Sequence, residues 1–305
     1  MNHIVEKIIH EIGNVVVGKQ EQIRLALSCL LCNGHLLIED LPGMGKTTLS
    51  HSLAKTLGLM FSRVQFTSDL LPADILGVNI FDNQKTQFQF HPGPIFTNLL
   101  LADEINRSNP KTQSALLEAM EEKQVTIDGE THPLPTPFIV IATQNPMYQS
   151  GTYALPESQL DRFLMRIHLG YPDWQSEKRM LEGDTSLQLS ALTQCITPTE
   201  FNDMQQRIRR IEASAAIFDY ILKLVTLTRE SDAFPNSLSP RASKAILAAS
   251  RAWAFISGRD YVIPEDVQAI LPAVAEHRIR STSSDINSQQ PLTQLLLEEI
   301  DPLAA

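Results

Sequence analysis

Residues 35–57 read HLLIEDLPGMGKTTLSHSLAKTL, and three signals follow one another in that stretch. HLLIE (35–39) is a short apolar run of strand length, DLPGMGKTT (40–48) is a glycine-containing turn, and Leu49, Leu53 and Leu57 then recur every four residues until Gly58 can end a helix. Strand, loop and helix in this order form the context that a phosphate-binding loop requires. The strict pattern has glycine where this chain has Asp40, but Gly43, Gly45, Lys46 and Thr47 are retained. Glycines let successive backbone amides turn inward around phosphate oxygens, and the following helix presents its N-terminal amides to the same charge. Lys46 can reach the β and γ phosphates, and the Thr47 hydroxyl can coordinate magnesium. A glycine turn before a lysine can also be only a helix start; the flanking strand and helix argue for the phosphate site.

Further strands are expected at FSRVQF (61–66), LLLA (99–102), PFIVIA (137–142) and MRIHLG (165–170). Helical patterns lie between them, among them SNPKTQSALLEAMEE, with Asn109 as cap and Pro110 in the first turn. The alternation predicts an α/β fold: a mostly parallel five-stranded sheet covered on both faces. LLLADEINR (99–107) ends its apolar run in two adjacent carboxylates. Asp103 at the strand end would face magnesium, while Glu104 could polarise the attacking water. Neighbouring strand residues face opposite ways, so both serve only if the chain leaves the sheet there. Alone, such a pair is a solvated loop start; about sixty residues after a phosphate loop it reads as a catalytic centre.

Three more polar residues fit hydrolysis. Asn145, in ATQNP, follows a strand at the edge where parallel sheets bind ligands, although before Pro146 it can equally be a turn asparagine. Arg162, in LPESQLDRF, is either a surface arginine paired with Asp161 or Glu157 or a positive group for the γ phosphate. Arg241, in SLSPRAS, opens a helix, an unfavourable place for a cation without an anion nearby.

Two stretches interrupt the strand–helix rhythm: an insert at about 67–97 and a hairpin at about 123–136 with Asp128 and Gly129 at its turn. Insertions of this kind more often touch partners than catalyse. Residues 1–171 are therefore expected to form a nucleotide-binding core and 172–280 a helical lid domain. A polar linker (281–290) and a short tail to residue 305 follow; the tail could pack back on the body or dock a partner.

Composition bounds the function. A net charge of −10 argues against a broad nucleic-acid footprint. No apolar run has the length of a membrane span, and MNHIVEKIIHEIGN lacks the basic-then-apolar order of a secretory leader, so a cytoplasmic protein is expected. Three cysteines are too few for a disulfide scaffold. Cys29 and Cys32, in LALSCLLC, read as one turn of a buried helix, with no second pair or histidine set to complete a zinc site.

The order of motifs resembles the MoxR-type AAA+ ATPases, in the branch with an insert in the second helix of the core. The similarity runs from NVVVGKQEQI (14–23) to GRDYVIPEDVQAILPAVAEHRI (258–279). EDLPGMGKT looks like the Walker A loop, FTSDLLPADILG the approach to the insert, LLADEINRSNPKTQSALLEAMEE the Walker B region, ATQNP the first sensor, LPESQLDRFLM the arginine-finger region and LSPRAS the second sensor. The resemblance implies that Val16, Val17 and Gly18 line the adenine pocket. Gly43, Met44, Gly45, Lys46, Thr47 and Thr48 would hold ATP phosphates, and Thr47 and Asp103 would serve Mg2+. Glu104 would be the catalytic base, Asn145 the first sensor, Arg241 the second sensor reaching nucleotide from the lid, and Arg162 a finger into the neighbouring subunit, with Arg166 a further charge near that interface. It also implies a ring, commonly a hexamer, and chaperone-like remodelling of a protein client alongside a protein with a von Willebrand factor A domain. Lys19 stands where glutamine is common, and Ser108 with Asn109 replaces the usual alanine and proline.

Two rivals use the same core: a nucleic-acid motor, for which no helix-turn-helix or zinc pattern speaks, and a nucleotide-switched scaffold with negligible turnover, against which Glu104 and Arg162 argue. A small-metabolite kinase has no separate substrate site in this sequence, and a GTPase lacks its guanine-recognition motif.

Overall fold

The computed structural model describes residues 2–145, 152–181, 188–280 and 291–302. The expected polar linker at 281–290 lies outside the described residues. Two helices, α1 (Asn2–Val15) and α2 (Gln20–Leu31), precede β1 (Leu36–Glu39), the phosphate loop and α3 (Lys46–Thr56). Then come β2 (Phe61–Gln65), the short α4 (Pro72–Leu76), a hairpin of β3 (Gly77–Asp82) and β4 (Gln87–Pro92), and β5 (Leu99–Asp103). A 3-10 turn (Ile105–Arg107) leads to α5 (Pro110–Glu122), a second hairpin of β6 (Gln124–Ile127) and β7 (Glu130–Pro133), and β8 (Ile139–Gln144). After α6 (Glu157–Leu160) and β9 (Met165–Ile167) the described chain is helical: α7 (Trp174–Leu181), α8 (Gln188–Ala191), α9 (Pro198–Arg209), α10 (Ala215–Glu230), α11 (Pro240–Ile256), α12 (Pro264–Ile279) and α13 (Leu292–Glu299).

Five strands form one sheet in the order β2-β5-β8-β1-β9, parallel at every pairing. Its middle strands β5 and β8 are buried at every residue, as near-continuous apolar runs covered on both faces must be. Parallel pairing puts all strand C-termini on one edge, where the phosphate loop follows Glu39 and the acidic pair follows Ala102. The opposite edge is marked by His35, immediately before β1. Its Nδ1 accepts from the Val140 amide at 3.0 Å and its Nε2 donates to the Met120 carbonyl at 3.2 Å, near the end of α5.

The fully buried His35 imidazole is neutral, because burial pushes its pKa down from 6.5 to about 4 and a proton on Nδ1 would face the Val140 N–H. A base with a lowered folded pKa gives stability that is complete above its unfolded value and is lost as pH falls through its folded value. Unfolding free energy should therefore decline between pH 6.5 and about pH 4, by about 3 kcal/mol from His35. His277, also buried and lowered, adds in the same direction. Urea titrations across this window check it, and a flat profile would contradict it.

The helical lid shares its core with the sheet domain. Its apolar side chains merge with those of α1, α2, α3 and one face of the sheet in a single core. The Cys32 thiol at the end of α2 donates to the Ala248 carbonyl of α11 at 3.1 Å, and Arg24 lies 5.1 Å from the Trp253 ring centre. α12 packs along β9 and α6. The tail packs back on the body: Glu276 of α12 accepts from the Leu292 amide at 3.2 Å, the Thr293 amide at 2.9 Å and the Thr293 hydroxyl at 2.8 Å, capping α13. Leu296 is then buried beneath it.

Candidate functional site

Gly43 and Gly45 have φ of +85° and +89°, and an added Cβ would meet nothing within 4 Å at either. The backbone conformation, rather than space, requires glycine there. Asp40 is not among the left-handed residues, so its position tolerates a side chain. That carboxylate ties the loop down: Oδ1 accepts from the Leu41 amide at 2.9 Å and Oδ2 from the Gly170 amide at 2.6 Å. Lys46 is folded back over the loop, donating to the Asp40 carbonyl, to the Leu41 carbonyl at 3.2 Å and to Asn145 Oδ1 at 2.8 Å. Burial lowers its pKa, opposed by the charges of Asp40, Asp103, Glu104 and Glu39. A cation held on three neutral oxygens beside a cradle of amides fits phosphate oxygens as replacements for them.

Asn145 continues the chain of contacts, donating through Nδ2 to Glu104 Oε1 at 2.8 Å. Lys46, Asn145 and Glu104 are thus joined in sequence. Asp103 ends β5, but Glu104 takes a left-handed φ of +56° and turns out of the strand, so the two neighbouring carboxylates present themselves on the same side. Thr143 on β8 fixes this bend, its hydroxyl donating to Asp103 Oδ1 at 2.6 Å and accepting from the Glu104 amide at 2.9 Å.

Three residues that sequence reasoning missed join the cluster, one of them Arg107, which pairs with Glu104 Oε2 at 3.1 Å. Arg63 of β2 donates to Asp103 Oδ2 through Nη2 at 2.7 Å and Nε at 3.1 Å, and Gln65 donates to Glu104 Oε2 at 2.8 Å. The signal available was a pair of long polar side chains at i and i+2 in FSRVQF, on one face of a strand beside β5. Thr47 sits in the first turn of α3, half-buried. A hydroxyl and a carboxylate are hard oxygen donors of the kind magnesium takes, with substrate phosphates and water filling its other positions. Among the described residues no group of three His, Cys, Asp or Glu side chains could hold a metal ion by itself.

Val16 and Val17 are buried, and Gly18, at φ +75°, has Ser176 Oγ 2.4 Å from where a Cβ would stand. Lys19 donates to the Tyr171 carbonyl at 2.5 Å, so the lysine in place of the common glutamine closes α2 onto the segment leaving β9. Asn109 caps α5, accepting from the Thr112 amide at 3.1 Å.

Arg162 and Arg241 do not join the phosphate-loop cluster. Arg162 pairs with Glu121 at 3.2 Å and donates to the Leu117 carbonyl. Arg241 pairs with the same Glu121 at 2.5 Å and with Asp161 at 3.7 Å. Glu121 lies eleven residues past Pro110, about 16 Å along α5. It is beside Met120, whose carbonyl meets His35 at the N-terminal edge of the sheet. The two arginines therefore gather at the edge opposite the phosphate loop, because α11 and α12 dock on α2 and β9. The hydrogen bond from Arg241, followed by the charge of Arg162, holds the Glu121 carboxyl below its usual range. Both arginines remain solvent-accessible, with side chains 29% and 52% exposed. Arg166 on β9 pairs with Glu39 at 3.1 Å.

The profile of the ATPase family associated with various cellular activities matches residues 35–165, and that of the AAA lid domain matches residues 226–299. The chain is 45% identical over 280 residues to YeaC, an uncharacterised Bacillus subtilis protein, covering 92% of this chain and 88% of that one. It is 40% identical over 288 residues to Chaperone MoxR1 of Mycobacterium tuberculosis, covering 91% and 76% of the two. Identity to Protein MoxR of Paracoccus denitrificans is 31% over 294 residues, covering 88% and 86%. A solved structure from Cytophaga hutchinsonii, described as a candidate ATPase, superposes with a TM-score of 0.87 at 37% identity, covering 98% of this chain and 95% of that one. No helix among the described residues is long and apolar enough to cross a membrane. A phosphate loop on a five-stranded parallel sheet, an acidic strand end, a helical lid and these relatives over most of its length agree: the chain belongs to the MoxR-type AAA+ ATPases.

Proposed function

We propose that the protein hydrolyses ATP at sites shared between adjacent subunits of a ring, commonly a hexamer in this family, and couples hydrolysis to chaperone-like remodelling of a protein client in the cytoplasm. The observation that carries this reading is the separation of the polar groups. Lys46, Asn145 and Glu104 meet at one edge of the sheet, and Arg162 and Arg241 meet on Glu121 at the other. A subunit built this way supplies an incomplete site at each end. Head-to-tail packing that closes into a ring brings the two ends together.

In this reading the amides of Gly43 to Thr48 and the Lys46 ammonium hold the phosphates, and Val16 to Gly18 flank the base. Glu104 takes a proton from the attacking water, and Asn145 fixes the orientation of that carboxylate and of the water. Arg162 and Arg241 of the neighbour exchange Glu121 for the γ phosphate and neutralise charge that develops there. Thr47 and Asp103 would hold Mg2+, which when bound would supply positive charge to the phosphates. Arg241 thus serves the neighbour's nucleotide rather than its own.

The hairpins suit a protein client. β3–β4 exposes Val78, Ile80, Phe81 and Phe88, the last at 69%, and Asn79 joins it to the β6–β7 turn through Asp128 at 2.8 Å. Apolar side chains gathered on a protruding element mark an interaction surface. The relative named as a chaperone supports the same direction, and the family resemblance makes a von Willebrand factor A domain protein the expected partner.

Magnesium-dependent ATP turnover per subunit, followed over protein concentration with the assembly state recorded at each point, tests the reading. Specific activity is expected to rise as rings form. Equal activity in a verified monomer would contradict it.

A further inference from the structure

The segment around Arg162 is held from the lid mainly by one buried arginine. Arg278, in the last turn of α12, is 5% exposed and uses all three guanidinium nitrogens. Nε donates to Asp161 Oδ1 at 2.7 Å. Nη2 donates to the Phe163 carbonyl at 2.7 Å and the Asp161 carbonyl at 3.2 Å. Nη1 donates to the Leu164 carbonyl at 3.2 Å and to the Val274 carbonyl of its own helix. The residues on both sides of Arg162 are thereby pinned to α12, while Arg162 itself projects toward Glu121 and solvent. The same Asp161 carboxylate turns its other oxygen to Arg241 at 3.7 Å. Next to it, His277 Nε2 donates to the Phe163 carbonyl at 3.3 Å.

Backbone carbonyls in a turn this short could be satisfied by water. Burying a guanidinium among them costs desolvation that a solvated turn avoids. What the arrangement adds is a fixed direction for Arg162 and a rigid link from the lid to that direction. We propose that Arg278 is a positioning residue for hydrolysis: it sets Arg162 in the geometry that the neighbouring subunit's site needs. This rests on the reading of Arg162 as a group acting in that neighbouring site. The planar fork matters, because a lysine keeps the charge but cannot bridge Asp161, Phe163 and Leu164 at once.

The test is a double-mutant cycle in the full-length protein, with kcat and KM for ATP, thermal midpoint and assembly state measured for each variant. Arg278→Lys is expected to lower kcat by about 10- to 100-fold, the range in which small misplacements of a catalytic group cost rate, with KM within about twofold. Arg162→Ala combined with Arg278→Lys should be no slower than Arg162→Ala alone, because Arg278 acts only through the group already removed. If Arg278→Lys fails to fold, Asp161→Asn takes its place in the cycle; it removes the charged acceptor from a side chain that is 28% exposed and leaves the buried arginine in place. Wild-type kcat in the folded single variant, or losses that multiply in the double variant, would overturn the proposal and leave the shared site standing. An Arg162→Ala variant with wild-type kcat would remove both.

Discussion

Arg162→Ala should lower ATP turnover by about 10³- to 10⁵-fold, equivalent to about 4 to 7 kcal/mol of transition-state stabilisation, while ATP binding is retained. The separation of effects follows from position. Arg162 lies at the sheet edge away from Lys46 and the glycine loop, so its removal leaves the chain's own phosphate cradle untouched. Its pairing with Glu121 is partly exposed, and such pairs contribute little to stability, so the thermal midpoint should barely move. Arg162→Lys should rescue only weakly, since a point charge does not reproduce the planar fork. Steady-state turnover together with a fluorescent-nucleotide titration checks both halves. Loss of nucleotide binding along with turnover would place Arg162 at its own subunit's site instead.

Glu104→Gln should cost about 10²- to 10⁴-fold in turnover, the usual range for a positioned general base, again with ATP bound. The substitution is nearly isosteric: the amide oxygen can still accept from Asn145, while the new amide nitrogen gives up the bonds that Oε2 accepts from Gln65 and Arg107. The left-handed bend at residue 104 is held by Thr143 through the backbone, so it survives the change. What disappears is the proton acceptor. Unchanged turnover would refute the role of Glu104 and revive the reading of the acidic pair as part of a structural turn.

Much of this fold was legible because its signals are local. β1, β5 and β8 read as apolar runs, and the positive φ of Gly43 and Gly45 follows from the residues themselves. The lid helices were equally legible from caps such as Ser239 before Pro240, whose hydroxyl accepts from the Ala242 amide at 3.2 Å. Where those helices dock was not legible. Cys29 and Cys32 announced a buried face on α2, but nothing in LALSCLLC says that Ala248, more than two hundred residues on, covers it. The resemblance implies that Arg241 reaches nucleotide from the lid, and in the structure Arg241 is paired with Glu121. Arg63 and Gln65 were invisible as site residues for a similar reason: their partners Asp103 and Glu104 are neighbours only through the parallel pairing of β2 with β5. Glu121 and Arg278 lie inside stretches that carry the resemblance, but no local pattern gives either a role; each matters through the arginines and carbonyls that tertiary packing brings to it.

A mixing experiment tests directly whether the site is divided between subunits. Glu104→Gln protomers have no base but keep Arg162, and Arg162→Ala protomers have the base but present no finger. When the two inactive variants are mixed in equal amounts and allowed to assemble, about a quarter of the head-to-tail interfaces should pair an intact Glu104 with an intact Arg162. Turnover in the mixture should then rise far above that of either variant alone. A mixture no more active than its components, with mixed assembly verified, would contradict the shared site.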